Sequence, residues 1–257
     1  MKFRVCFILV IGVILSGFNS PAFAEISSKD LIERVQILTS GDYAGRGNGT
    51  DEGNAAALLL AAWFRDAGLE PAFGQEFLQQ FPLRGNGWTG NDLTGKVNYN
   101  VAGILRGAGD LCGRFLVVGA HHDHLGRLDP TLDGQGPAAA LSYYAGANDN
   151  ASGITVLFEL LKELENDDSP SRRSILFVCF GGEEVGLQGS GFLVSHSPVP
   201  LEAMDAMINF DTVGQMTDNR LYVSGVATSD SFASVVETAN LDGLDLSLAR
   251  GGWSGSD

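Results

Sequence analysis

The sequence predicts an α/β fold, a central, mostly parallel twisted sheet with helices on both faces, stacked as a three-layer sandwich. Three observations point there. Apolar runs of strand length alternate with helical patterns, the order that builds parallel sheets. The run "SILFVCF" is apolar without a break, as a strand covered on both faces must be. Polar residues with chemistry to offer follow directly after successive strands, where an open α/β sheet gathers its ligands. The 257 residues, 44% hydrophobic and 18% charged, suit a globular chain with a substantial core. No stretch reads as a linker to a second domain.

The elements follow in order. Residues 1–24, "MKFRVCFILVIGVILSGFNSPAFA", open with Lys2 and Arg4, continue through an apolar run and end on the small-x-small pattern Ala22-Phe23-Ala24. This is a secretory signal peptide, with export to the periplasm or the external medium as its consequence. The run is shorter than the ~20 residues of a membrane span, so no membrane association is expected after cleavage. "SSKDLIERVQILTS" reads as a short helix. "GDYAGRGNGTDEGN" is a turn-rich loop; its glycines lack the full dinucleotide spacing and no strand precedes them. Thr50 or Asp51 can cap the next helix, in which Ala56, Leu59, Leu60, Trp63, Phe64 and Ala67 form one apolar face. Gly68 and Pro71 end it. Residues 72–96 read as irregular. Then come a strand ("KVNYNVAGILRG"), a buried strand ("RFLVVGAHHD"), a helix ("SGITVLFELLKELEND"), a central strand ("RSILFVCFGGEE") and a helix ("GLQGSGFLVSH"). The pattern closes with strands at "AMINFDTVG" and "RLYVSG", a helix at "SDSFASVVETAN" and a last strand at "LDLSLA".

Charge excludes one class of partner. The formal net charge is −15, and removing residues 1–24 takes away two bases and no acids, leaving −17. Such a chain repels phosphates, so nucleic acid is not expected as a partner. Cys112 and Cys179 remain after signal cleavage. They could pair in an oxidising compartment, but Cys179 sits in an apolar run and suits a buried free thiol equally well.

The stretch "VVGAHHDHLG" places three of the chain's four histidines at one strand end. After this strand come His121 and Asp123. After "SILFVCFGG" come Glu183 and Glu184, and after "AMINF" comes Asp211. The loop "AGANDNASG" presents Asp149 just before a helix. Parallel strands put these clusters on one edge of the sheet. An imidazole with several carboxylates makes a site for zinc, and also for manganese or cobalt. His121 and Asp123, two apart on an extended strand, would point the same way, Asp123 accepting the imidazole's second N–H. Adjacent carboxylates at 183 and 184 allow one to bind metal and the other to take a proton from water. His122 and His124 read as surface or supporting residues, and His196 as a helix-end histidine.

Together "GAHHDHLG", "GANDNASG", "FGGEEVGLQGS" and "NFDTVG" resemble peptidase family M28, the aminopeptidases with two co-catalytic zinc ions. The lead-in "DYAGRGNGTDEGNAAALLLAAWFRDAGLEP" and the strand "NYNVAGILRG" are similar to the same family. The resemblance covers most of residues 30–257 and implies the zinc-peptidase three-layer fold. It further implies that His121 and Asp211 bind one zinc, Asp149 bridges both, Glu184 binds the second, Glu183 is the general base and Asp123 orients His121. Its substrates would be peptides with a free N-terminus. The family supplies the second zinc with a further histidine just after a glycine- and serine-rich stretch ending in Ser-Asp. Here "GGWSGSD" reaches Asp257 and no histidine follows His196, so the resemblance implies a longer protein. Two other readings stay open: a glutaminyl cyclase on the same fold, working with one zinc, and a binding ectodomain without catalysis.

Overall fold

The computed structural model describes residues 26–88, 90–128, 142–252 and 255–257. The expected signal segment, residues 1–24, lies outside them. Helix α1 (Ser28–Leu38) starts where the Ser27 hydroxyl accepts the Asp30 N–H at 3.2 Å. Helix α2 (Asp51–Asp66) is capped by Thr50, whose hydroxyl accepts the Gly53 N–H at 3.1 Å; each cap satisfies a donor the helix cannot pair internally. Ala56, Leu60 and Phe64 of its apolar face are fully buried, and Leu59, Trp63 and Ala67 are partly buried against the same core.

Among the described residues six strands form the main sheet: β1 (Glu70–Pro71), β2 (Leu78–Pro82), β3 (Val97–Leu105), β4 (Phe115–His121), β5 (Ser174–Phe180) and β6 (Met204–Asn209). β4 lies between β5 and β6 and runs parallel to both. Helix α3 (Ser152–Leu164) connects β4 to β5, and α4 (Gln188–Ser195) follows β5. β3 runs antiparallel to β5, while β1 and β2 run antiparallel to β3. The sheet is therefore mixed, with its parallel part at β5-β4-β6. The strand pattern of "VNYNVAGIL" is the same in either direction, so its reversal has no signature in sequence.

Two further differences have the same origin. "LQQFP", inside the stretch read as irregular, pairs with β3 over five residues. Its glutamines and proline hide the period-two signal, and Pro82 is tolerated at the strand's end. "RLYVSG" and "LDLSLA" become β7 (Arg220–Ser224) and β8 (Asp245–Ala249), which pair parallel with each other in a separate two-stranded sheet. Helix α5 (Phe232–Ala239) lies between them in sequence. Among the described residues, no helix is long and apolar enough to cross a membrane.

The core explains the layers. Ile175, Phe177 and Cys179 of β5 join one apolar cluster with α1, α2 and α3, whereas Leu176, Val178 and Phe180 join a second with Leu193 of α4. Alternate side chains cross to opposite faces, so an unbroken apolar strand demands a helix layer on each side. Cys179 is a buried free thiol, its pKa pushed up by burial, and Cys112 is free and exposed. Phe64 is fully buried, stacked on Phe158 at 5.0 Å and tilted against Phe77 at 6.4 Å between centroids. Phe64→Ala is expected to cost about 3–5 kcal/mol in urea unfolding, from lost burial and the cavity left behind.

Candidate metal centre

The parallel register decides what meets at the carboxyl edge. His121, the last residue of β4, pairs with Phe180, the last of β5, and Gly119 pairs with Asn209, the last of β6. Glu183 and Glu184 therefore begin three residues past β5 and Asp211 two past β6, on the same edge as His121. Gly182, at φ +72°, supplies the left-handed turn that aims the glutamates back over the sheet.

Asp149 arrives from the segment Ala147–Ala151 at the start of α3. The sequence "NDNAS" builds this entry by its side chains. Asn150, fully buried, donates to the Phe210 carbonyl at 2.8 Å and accepts the Gly153 N–H at 2.9 Å and the Thr212 N–H at 3.3 Å. Asn148 accepts the Gly214 N–H at 2.8 Å and Ser152 the Val213 N–H at 3.0 Å. Short polar side chains that bond nearby backbone thus tie the Asp149 loop to the Asp211 loop.

Two donor clusters result. His121 is buried, and its Nε2 lies 3.1 Å from Asp149 Oδ1 and 3.4 Å from Asp211 Oδ1. His124 Nδ1 lies 2.7 Å from Glu184 Oε1 and 3.9 Å from Asp149 Oδ2. The two oxygens of Asp149 thus face two different imidazoles, and the two clusters share this one carboxylate.

The donor set suits a cation. His121 Nδ1 lies 3.1 Å from the Asp123 main-chain carbonyl, which can only accept, so this nitrogen carries the proton. In the neutral ring the Nε2 lone pair then faces two carboxylate oxygens, three acceptors that a proton or a metal cation must bridge. Ligands on a tetrahedral zinc at 2.0–2.1 Å stand roughly 3.3 Å apart, close to the separations around His121. Burial disfavours a charged imidazole, yet Asp149 and Asp211 outweigh it and hold the His121 pKa well above its ordinary value.

Asp123 is placed differently from expectation. Its carboxylate stands 3.8 Å from His121 Nδ1, and the main-chain carbonyl takes that position instead. β4 ends at His121, so the strand alternation invoked for Asp123 no longer applies there. The carboxylate is spent on the glutamate turn. Oδ1 accepts the Glu183 N–H at 3.1 Å, and Oδ2 accepts the Glu184 N–H at 3.2 Å and the Asn48 amide at 2.7 Å. Asn98 in turn donates to Asn48. Asp123 orders both glutamates, while the Glu183 carboxyl belongs to neither donor cluster. Burial, opposed by His121 and assisted by Asp123, pushes the Glu183 pKa up to about 8.

The other histidines divide. His122, read as a surface or supporting residue, is fully buried, with Nε2 3.0 Å from the Tyr99 carbonyl. His196 caps the end of α4 as expected, its ring stacked on Phe192. His124, read like His122, stands inside the second cluster.

Several residues at the site carry no clear signature in the sequence. Arg46, only 1% exposed, donates to the carbonyls of Leu38 (2.7 Å), His122 (2.8 Å), Gly146 (2.8 Å) and Ala145 (3.1 Å). Burial lowers its pKa to about 10, against the pull of Asp123, Asp149 and Glu184, so it stays charged at neutral pH. The Ser256 hydroxyl donates to Asp211 Oδ2 at 2.6 Å and accepts from Asn209 at 2.9 Å. The one signal on offer is an arginine and an asparagine set among glycines in "AGRGNG", a loop with its own hydrogen-bonding groups.

Comparison with known proteins bears on the family and the fold. The model of peptidase family M28 matches residues 100–245. Aminopeptidase YwaD of Bacillus subtilis is 30% identical over 168 residues, 63% of this chain and 33% of that protein. The chain thus spans about a third of the length of that relative. Solved structures share the fold. A zinc aminopeptidase from Bacillus subtilis superimposes with a TM-score of 0.62 at 20% identity, covering 88% of this chain and 80% of the other. A glutaminyl cyclase from Porphyromonas gingivalis does so with a TM-score of 0.61 at 20% identity, covering 87% and 76%.

Proposed function

The chain belongs to peptidase family M28, and from that membership and the geometry of its site we propose that it is the catalytic part of an exported metallo-aminopeptidase. Its substrates are peptides with a free N-terminus, and it takes two zinc ions. The observation that carries this reading is the sharing of Asp149 between two donor clusters, one with His121 and Asp211 and one with His124 and Glu184. A one-metal cyclase has no use for such sharing, so hydrolysis is the better reading.

His121 and Asp211 would hold one ion and Glu184 the second, with the Asp149 carboxylate available to both. When bound, zinc supplies Lewis acidity toward a carbonyl oxygen and toward water. Glu183, free of both clusters, takes a proton from the attacking water and passes it to the leaving amine. Asp123 holds the Glu183 and Glu184 backbones in register, and its carbonyl fixes the tautomer of His121. Ser256 orients Asp211.

The test is an assay of a leucine anilide beside a glutaminyl peptide, before and after chelation. Hydrolysis of the anilide is expected, lost to a strong chelator and restored by zinc. Cyclisation without hydrolysis would transfer the chain to the rival chemistry, and binding of peptide with no turnover to the non-catalytic reading. Export rests on residues 1–24. N-terminal sequencing of the secreted protein is expected to start at Glu25, and an intact Met1 would remove that part.

A further inference from the structure

We propose that the cleft between Trp88 and Arg127 takes the second residue of the peptide substrate, the one on the leaving side of the cut bond, and that Trp88 selects a bulky apolar side chain there. The inference rests on the aminopeptidase reading and names the substrate class of that same site.

The cleft encloses about 250 Å3. Pockets for drug-sized ligands run to roughly 300–1,000 Å3, so this one is on the scale of a single residue. Its buried lining includes Glu184, which also belongs to the second donor cluster. The cleft therefore opens directly beside the candidate metal centre. Its most exposed lining is Trp88 and Arg127.

Trp88 is 67% exposed, although a tryptophan ring gains most by burial. It stands at the tip of an arm between β2 and β3. In this arm the Gly87 N–H donates to the Asn91 carbonyl at 2.8 Å and the Leu93 N–H to the Gly85 carbonyl at 2.9 Å. The arm is anchored below its tip. Leu83 and Leu93 are buried with Phe81, and Val185 and Phe192 pack against them. The Gln188 side chain holds both the N–H and the carbonyl of Arg84, each at 2.9 Å. Val185 directly follows Glu184, so the footing of the arm and the glutamate belong to one turn. A ring held out on a fixed support offers apolar area to a ligand at little cost in lost freedom.

Charge decides which part of the substrate enters. In an aminopeptidase substrate the residue before the cut bond carries the free amine. Arg127 is the one arginine or lysine lining the cleft among the described residues. It repels an amine and attracts a carboxylate, so the cleft suits the residue after the cut bond. Its guanidinium donates to Glu52 at 2.6 and 3.0 Å, and an arginine has more N–H donors than that one oxygen takes. A chain leaving the metal centre past Arg127 lays its second side chain against Trp88.

The experiment uses the whole chain loaded with zinc and three dipeptides: leucyl-phenylalanine, leucyl-glycine and alanyl-glycine. The wild type is expected to cleave leucyl-phenylalanine with kcat/KM roughly tenfold above leucyl-glycine, the scale of a side chain gained in an apolar pocket. Trp88→Ala is expected to bring that ratio to about one. The ratio of leucyl-glycine to alanyl-glycine reads the first residue and should not move. In Glu183→Gln protein labelled with fluorotryptophan, the fluorine signal assigned to Trp88 should shift with leucyl-phenylalanine and not with leucyl-glycine. Equal wild-type rates on the two leucyl dipeptides, or a preference that Trp88→Ala leaves in place, would overturn the proposal. A change confined to the first-residue ratio would also overturn it and hand the cleft to the N-terminal side chain. Cleavage of none of the dipeptides would instead sink the aminopeptidase reading, and this proposal with it.

Discussion

Glu183→Gln is expected to keep its full metal content and lose about a thousandfold in kcat, within the range typical of a missing general base. The substitution is nearly isosteric. The Glu183 main-chain N–H still reaches Asp123 Oδ1, so the turn that presents both glutamates survives. Neither donor cluster contains Glu183, so metal binding has no reason to change. What disappears is a carboxylate able to accept and return a proton. The loss should therefore fall on kcat with KM nearly unchanged, and steady-state kinetics beside metal analysis reads both quantities. Undiminished hydrolysis would remove Glu183 from its role. Loss of metal together with activity would make it a ligand instead.

Arg46→Ala is expected to destabilise the fold by about 3–5 kcal/mol, the scale of breaking a buried charged network. The guanidinium joins three parts of the chain: Leu38 at the end of α1, His122 just past β4, and Ala145 and Gly146 before Asp149. Removing it leaves four carbonyls without this donor, and buried acceptors left unpaired are costly. It also removes a positive charge beside Asp123, Asp149 and Glu184. The 145–149 segment should loosen first, so metal affinity should fall with stability. Arg46→Lys keeps charge but not the planar fork, and partial rescue is expected. Chemical denaturation of the three proteins measures the effect, and an Arg46→Ala protein as stable as the wild type would refute this account.

Much of the site is legible in the amino-acid order alone. Strand periodicity and the clustering of His121, Asp123, Glu183, Glu184 and Asp211 after apolar runs place them at strand ends, and parallel connections place those ends together. The helix cap at Thr50 and the double-faced burial of β5 follow from residue type and pattern. These features are local, set by the chemistry of a few consecutive residues.

Other features depend on register and on contacts between distant segments. The antiparallel direction of β3, the pairing of β2, and the separate β7–β8 sheet have no local marker. His124 and the Asp123 carboxylate lie past the end of β4, where the two-residue alternation no longer fixes a side chain's direction. Arg46 and Asn150 look like loop polarity in sequence and become buried only when other segments close over them. The sequence by itself determined which residues could carry metal chemistry and the sheet edge they would share. Only the tertiary structure decided which oxygen faces which imidazole, because separations of a few ångströms across dozens of residues are set by packing and strand register rather than by local pattern.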